Sequence, residues 1–529
     1  MKFILENQLL DKNEIAEFIP EMFLTTINGD QVKCDYVGYI RVKDKEPVTI
    51  LPKVFCLEFI KELNNGNKDA HKWLEDYIIT QYLSLKKYST HKRHKGLLPE
   101  DIKQSNEVTY IDVALAVINF YSKHRYLKNV EKLKNRSKSA SKVKWNHMIN
   151  RNNYIIIDDE LFFDEFEEDK LGLTSNDFLL KLLNTEVRNI CKTLGLTSFD
   201  KNDEILDPKE YKIFLKKPLK NLKVLKKKYF RDEYIKLIKV LYNYYYISEA
   251  SYGKNKCDFL LTNNFELVFE DMVDEFLSTP ELVQAYKYNK DGKIIDHVFS
   301  YNDLIISKRD TIYIGDSKYY SDISLIKSTR WKQYTYVKNL QSFILTENTP
   351  LNLKYRENLI DPIFYGYNIV PNFFISPYVN KLPYKHLKDF FFFIKSEAPL
   401  ETYQLPNRLF DRDTLYIYYF GVDLIFLMHG YIKGFDKEHT KFAINIIRDS
   451  ILNYLNECYI FYKIHDLSKE VLSLLKEYYY LLHGKILYNK YDEIIIIALK
   501  NSEEFKNENS EIVDFLINSK IKFNISQLA

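Results

Sequence analysis

Between Tyr36 and Phe55 two runs rich in β-branched and aromatic residues, YVGYIRV and VTILPKVF, flank the turn-prone KDKEP, and this pattern predicts a β-hairpin. From Cys56 to Leu83 apolar positions recur every three to four residues, with Trp73, Tyr77, Ile78 and Tyr82 on one stripe, so a helix is expected; Val113 to Tyr121 reads as another, buried one. A further stripe, Phe265, Val268, Phe269, Met272, Val273 and Phe276, marks one buried helical face with Glu270 at its margin. Polar turns then separate the β-rich runs of GKIIDHVFSYNDLIISKRDTIYIGDSKYY, and a helix carrying Trp331, Gln333 and Tyr336 is expected after them. Beyond it lie strands at Asn372 to Tyr378 and Thr414 to Leu427, helices at Lys437 to Tyr462 and Leu467 to Leu482, and a last strand at Glu493 to Leu499. The class is α/β (α+β). Four regions are expected: a β-rich 1–150, a mostly helical 151–245, a mixed sheet flanked by helices over 246–400, and a mixed helix/strand 401–529 of unassigned role.

With 529 residues the chain exceeds one ordinary core. Its 46% hydrophobic content excludes a disordered protein. A net charge of +3 excludes polyanion binding by overall charge, so any such binding must come from local patches. Two patches stand out. Ser122 to Lys144 holds nine Lys or Arg against one acid, Glu131, and reads either as a phosphate-gripping loop or as an exposed linker. Lys212 to Arg231 holds nine and no acid, with Leu219, Leu222, Leu225 and Tyr229 as an apolar stripe after Pro218; this predicts a helix packed on one face and basic on the other, suited to a DNA backbone. The acidic block Asp158 to Asp169 reads as a solvated segment. Five scattered cysteines without a CxxC pair indicate neither a zinc site nor a disulfide framework, which fits a reducing cytoplasm. The opening MKFILENQLLDKNE lacks the apolar run of a secretion signal, and the stretch Tyr418 to Ile432, broken by Asp423 and His429, is short for a membrane span. A cytoplasmic protein without a membrane partner is expected.

Chemistry concentrates between Phe265 and Leu340. Asp316 and Lys318, two residues apart at the end of a strand, point to the same face. Carboxylates there can hold Mg²⁺, with Mn²⁺ able to substitute, to activate a water and relieve phosphate charge, and a neighbouring lysine stabilises the charge that develops. Asp296 and Asp303 are rivals for the second acid: a tight hairpin turn over Ser307 to Asp310 puts Asp303 nearer to Asp316, whereas Asp296 needs a longer connection or a bulge. His297 alternates away from Asp296 and reads as a structural histidine. HExxH, GxSxG and GxGxxG are all missing from the sequence.

Helix-Glu, strand-Asp, then strand-Asp-x-Lys is the order in which PD-(D/E)xK nucleases assemble their site, and the window resembles that superfamily. Its segments FEDMVDEFL, IIDHVF and IYIGDSKYY, with the later NRLFDRDTL, are similar to the LlaJI family of restriction endonucleases, McrC-like partners of an McrB-type motor. The hairpin GYIRVKDKEPVTILPKVF is similar to the opening of McrC proteins. The resemblance spans roughly 36–465 and is specific around 265–340. It implies a Mg²⁺-dependent endonuclease subunit for double-stranded DNA in phage defence, with Glu270, Asp296, Asp316 and Lys318 catalytic and the three carboxylates holding metal. It also implies a separate AAA+ GTPase docked on 1–150, since this sequence has no GxxxxGK[ST] phosphate loop and binds no nucleotide of its own. Two competing classes are a stand-alone nuclease and a non-catalytic DNA-binding or motor-activating protein.

Overall fold

The computed structural model describes residues 2–528 apart from 44, 65–67, 95–101, 106, 125–126, 139–141, 151–153, 159, 175–176, 195, 197–199, 201, 251–256, 288–293, 307, 321–328, 380–388, 396–398 and 403–404. The expected hairpin forms from Val37–Val42 and Val48–Leu51, with Gly38 opposite Ile50 and Ile40 opposite Val48. Lys2–Leu5 adds parallel to its second strand. A strand far along the chain, Cys257–Thr262, adds antiparallel to its first, and Ile102–Gln104 closes the sheet. Gly38 allows that closure, because at φ +140° a Cβ there would stand 2.2 Å from the Leu260 carbonyl oxygen. Among the described residues, 1–150 hold eight strands together with the long helices Lys68–His94 and Tyr110–Lys123, and the hairpin's sheet borrows a strand from beyond the expected boundary at 246. The stripe residues Tyr77, Ile78 and Tyr82 are buried, while the Trp73 side chain lies outside the described residues.

A helical layer follows. Tyr110–Lys123, Phe178–Leu194, Pro208–Leu215, Pro218–Leu225 and Asp232–Ala250 share one core around Leu182, Ile190, Leu222, Leu237 and Leu241. Within it the basic run Lys212 to Arg231 is helical, as its periodicity predicts, but as two short helices, each started by a proline in its first turn. The other basic run departs from both expectations. Asn129–Ser137 is a strand of a ribbon, antiparallel to Phe166–Thr174, and the register sets Arg136 opposite Glu167 and Lys134 opposite Asp169. The serines expected to mark a loop fall partly on 139–141, outside the described residues.

The central sheet runs His297–Asn302, Asp310–Ser317, Asn372–Tyr378, Tyr416–Asp423 and Phe391–Phe393, with Leu400–Glu401 paired to the fourth strand. The first two strands are antiparallel, the second, third and fourth parallel. Alternation assigns the faces. Ile312, Ile314, Phe374 and Tyr419 pack with Tyr334, Val337 and Leu340 of the helix Arg330–Thr346. Tyr313, Phe373, Ile375 and Tyr418 face Val268, Phe269 and Met272 of the helix Phe265–Leu277. The same core reaches Phe3, Tyr39 and Tyr82, so the hairpin sheet is continuous with this layer. The fourth strand lies beyond 400, so the expected boundary there divides a sheet. It also ends earlier than the apolar run suggests, because Asp423 accepts from Phe426 N at 2.8 Å and caps a helix, Leu424–Lys433. The C-terminal part forms its own antiparallel sheet of Ile486–Asn489, Ile494–Lys500, Tyr459–Ile464 and Asn524–Ser526. No helix among the described residues is long and apolar enough to cross a membrane.

Candidate functional site

Three parallel strands end on one edge of the central sheet, the edge at which open α/β sheets form ligand crevices. Asp316 sits at that end of Asp310–Ser317, buried, on the face of Ile312 and Ile314. Lys318 N donates to Ile375 O at 2.8 Å, which carries the ladder far enough to put the lysine on the same face. Its ammonium bonds Asp316 Oδ2 and lies 5.1 Å from the centroid of the Phe374 ring. Gly315 is required next to this pair, since a Cβ there would meet the Phe373 ring at 2.4 Å.

Asp296 precedes the edge strand, and because His297 pairs with Gly315 it arrives beside Asp316. Its Oδ2 accepts from Ser317 N at 3.1 Å, and its carboxyl lies close enough to that of Asp316 to feel its charge. Burial first, then Asp316 and Glu270, push the Asp296 carboxyl well above the usual carboxylate range, while Lys318 opposes the shift. Asp316 Oδ1 is buried and has no hydrogen-bond donor. A proton or a cation shared by the two carboxyls satisfies that oxygen.

The rival, Asp303, is elsewhere. The hairpin turn spans residues 303–309, with Asn302 opposite Asp310, so Asp303 lies at the far end of the ladder, about 20 Å of strand from Asp316. There its Oδ1 accepts from Ile305 N at 2.8 Å and Ile306 N at 2.9 Å, and Oδ2 accepts from Asn368 Nδ2 at 2.7 Å. Burial raises it to about 6 against those bonds. It shapes the turn.

Glu270 approaches from the helix Phe265–Leu277, but its Oε1 faces the Lys287 ammonium at 3.6 Å. Lys287, buried at the end of a π-helical turn, also bonds Asp274 Oδ2 at 2.8 Å and the Asp296 carbonyl oxygen at 2.9 Å. Burial works against its charge, yet Asp274, Glu270 and Asp296 together raise it above the ordinary lysine value. Burial likewise pushes Asp274 up, but His297 and Lys287 outweigh it and hold the carboxyl well below its usual range. His297, fully buried, sets Nε2 2.6 Å from Ser317 Oγ and Nδ1 3.5 Å from Asp274 Oδ1. Sequence reasoning missed Lys287 and Asp274. The signal was thin: Asp274 lies one helical turn after Glu270, and Lys287 follows an apolar turn with no motif spacing. Lys332, near enough to Asp316 and Asp296 to feel both charges, was missed too; its ammonium lies 5.4 Å from the centroid of the Tyr336 ring. Gln333, left without a role, is buried and ties its helix to the sheet through Asn372 Oδ1 at 2.6 Å.

The donor set is all oxygen, which suits a hard divalent cation. Among the described residues no group of three or more His, Cys, Asp and Glu comes together to hold a metal. Of the three expected ligands, then, Asp296 and Asp316 meet, whereas Glu270 is engaged by Lys287. Two carboxylates completed by waters is an ordinary arrangement for Mg²⁺.

Neither protein-family models nor curated proteins match this chain. Function is therefore argued from the residues themselves. Four carboxyls, Glu270, Asp274, Asp296 and Asp316, lie among the lysines Lys287, Lys318 and Lys332.

Proposed function

We propose that the chain is a Mg²⁺-dependent DNA endonuclease subunit with a PD-(D/E)xK core, of the LlaJI and McrC-like kind, acting in phage defence with a separate McrB-like AAA+ GTPase. The observation that carries the reading is the juxtaposed pair of half-buried Asp296 and buried Asp316, with an orphan oxygen on Asp316 and Lys318 on the same face. When bound, the metal supplies a water acidic enough to attack and offsets charge on the phosphate. Asp296 and Asp316 would hold it. Lys318, beside Asp316 on the same face, would orient the attacking water and stabilise charge on the phosphate oxygens. Glu270, paired with Lys287, is the third carboxylate that would complete the set, and Lys332 would offer a cation to the scissile phosphate. Cytoplasmic location follows from this role.

The test is cleavage of long double-stranded DNA by the full chain in Mg²⁺, with and without the NTPase that copurifies with it and its nucleotide. Cutting that stops with a chelator is expected. A folded chain that hydrolyses no phosphodiester with Mg²⁺ or Mn²⁺, with that NTPase present, removes the reading.

A further inference from the structure

The run Lys212 to Arg231 is absorbed by nothing in the cleft. All nine of its Lys and Arg side chains are exposed, and acids appear only outside it, at Glu210 and at Asp232 and Glu233. None of its eight lysines makes an ion pair with a described residue; Arg231 alone does, with Glu233 at 3.5 Å. The helix Pro218–Leu225 buries Leu222 and partly buries Leu219 and Leu225 in the helical core, which turns Lys220 and Lys223 outward three residues apart, with Lys216 exposed just before the helix and Lys227 just after it.

A merely solvated face does not explain the rest of the surface. Ile213 is 66%, Val224 52% and Phe230 85% exposed, interleaved with the lysines. Unpaired positive charges this close repel one another, and outward apolar side chains leave water contact unrelieved; both costs fall when a polyanion with apolar surfaces between its charges lies on the face. We infer that the helices Pro208–Leu215 and Pro218–Leu225, with the turn to Arg231, form a sequence-independent docking surface for the phosphate backbone of duplex DNA. The inference rests on the nuclease reading for its choice of polyanion. The surface belongs to the helical layer, whose core is distinct from those that back the cleft. It anchors the duplex while the cleft cuts. Backbone contacts fix position and carry no base information, so any sequence preference arises elsewhere.

The experiment measures binding of a fluorescent random-sequence duplex to the full chain in EDTA, across a salt series, for wild type and for Lys216→Gln/Lys220→Gln/Lys223→Gln/Lys227→Gln. Four lost phosphate contacts should lower the slope of log K against log salt by about 3 to 4 and weaken binding at least ~10-fold at low salt, and the four matching Lys→Arg changes should retain it. An unchanged melting temperature identifies the loss as charge and not unfolding. Unchanged slope and affinity in the Gln variant overturn the inference, even if the wild type cuts DNA. Wild-type binding to phosphatidylserine vesicles with none to duplex overturns it in favour of a membrane surface. Duplex binding that depends on the lysines, in a chain that never cuts, sustains this surface and removes the nuclease reading instead.

Discussion

Replacing Asp316 by Asn changes one charge and almost no volume at a fully engaged strand position, so its effects can be worked from the cleft. Asp316 and Asp296 are brought side by side by the pairing of His297 with Gly315, near enough to feel each other's charge. Two carboxylates about 4 Å apart repel by about 4 kcal/mol at an effective dielectric constant of 20. Without metal the folded protein escapes part of that by keeping a proton on Asp296, which is why its pKa is raised by burial and by Asp316. The sign follows from the raised value. Below the ordinary aspartate pKa of about 3.9 the stability contribution of Asp296 is intact, and it is lost as pH rises through the higher folded value. The wild-type protein without metal should therefore lose stability as pH climbs above the ordinary range, and divalent cation should restore it, by about 2.7 kcal/mol at a hundred times Kd. In Asp316→Asn the repulsion is gone, and Lys318, which already favours the Asp296 charge, has Asp296 as its remaining partner. The variant should match or exceed wild-type stability by about 1–3 kcal/mol at pH 8 without metal, show a flatter pH profile, and gain little from Mg²⁺ or Ca²⁺. Cleavage should fall at least ~10³-fold, because several kcal/mol of transition-state stabilisation depend on a correctly held ion. Thermal unfolding between pH 5 and 9, with EDTA or with each cation, reads the first part, and duplex cleavage the second. Wild-type cutting by a folded Asp316→Asn chain refutes the site, and a wild-type melting temperature that rises with pH in EDTA and ignores cations refutes the electrostatics.

Lys287→Met leaves Asp274 and Glu270 without the buried ammonium between them, which should cost about 3–5 kcal/mol in urea unfolding, and adding Asp274→Asn should recover much of it; a loss under about 1 kcal/mol means the lysine is not holding the cluster. Tyr319 follows Lys318 and gives its hydroxyl to the buried Glu6 at 2.5 Å, so Tyr319→Phe should destabilise by about 1–3 kcal/mol, with Glu6→Gln in the same chain reducing the penalty; additive melting shifts for the two changes would contradict the link. Gly315→Ala drives a methyl into the Phe373 ring and should cost about 1–3 kcal/mol while displacing Asp316, lowering cleavage more than DNA binding; an active, fully stable Gly315→Ala chain shows that Phe373 can move aside.

Periodicity along the chain was enough to find the hairpin at Val37–Val42 and Val48–Leu51, the Glu270 helix, the strand Asn372–Tyr378, and the shared face of Asp316 and Lys318, because facing and burial are encoded at spacings of two and of three to four. Those spacings also supplied the chemistry worth weighing. Tertiary structure decided what those residues meet. Asp296 and Asp303 were equally legible as acids near a hairpin, and only the register His297 opposite Gly315 brought one to Asp316 and left the other to shape a turn. Lys287 could not be foreseen as the partner of Glu270, because a π-helical turn and a bend, not a repeat, carry it there. The strand Cys257–Thr262 reads locally as the start of a new region, yet it completes a sheet begun some two hundred residues earlier. The basic strand Asn129–Ser137 is set against acidic neighbours by the same kind of long-range pairing. Local pattern sets which side of an element is buried; which distant element buries it depends on the register and chain closure that all the packed layers settle together.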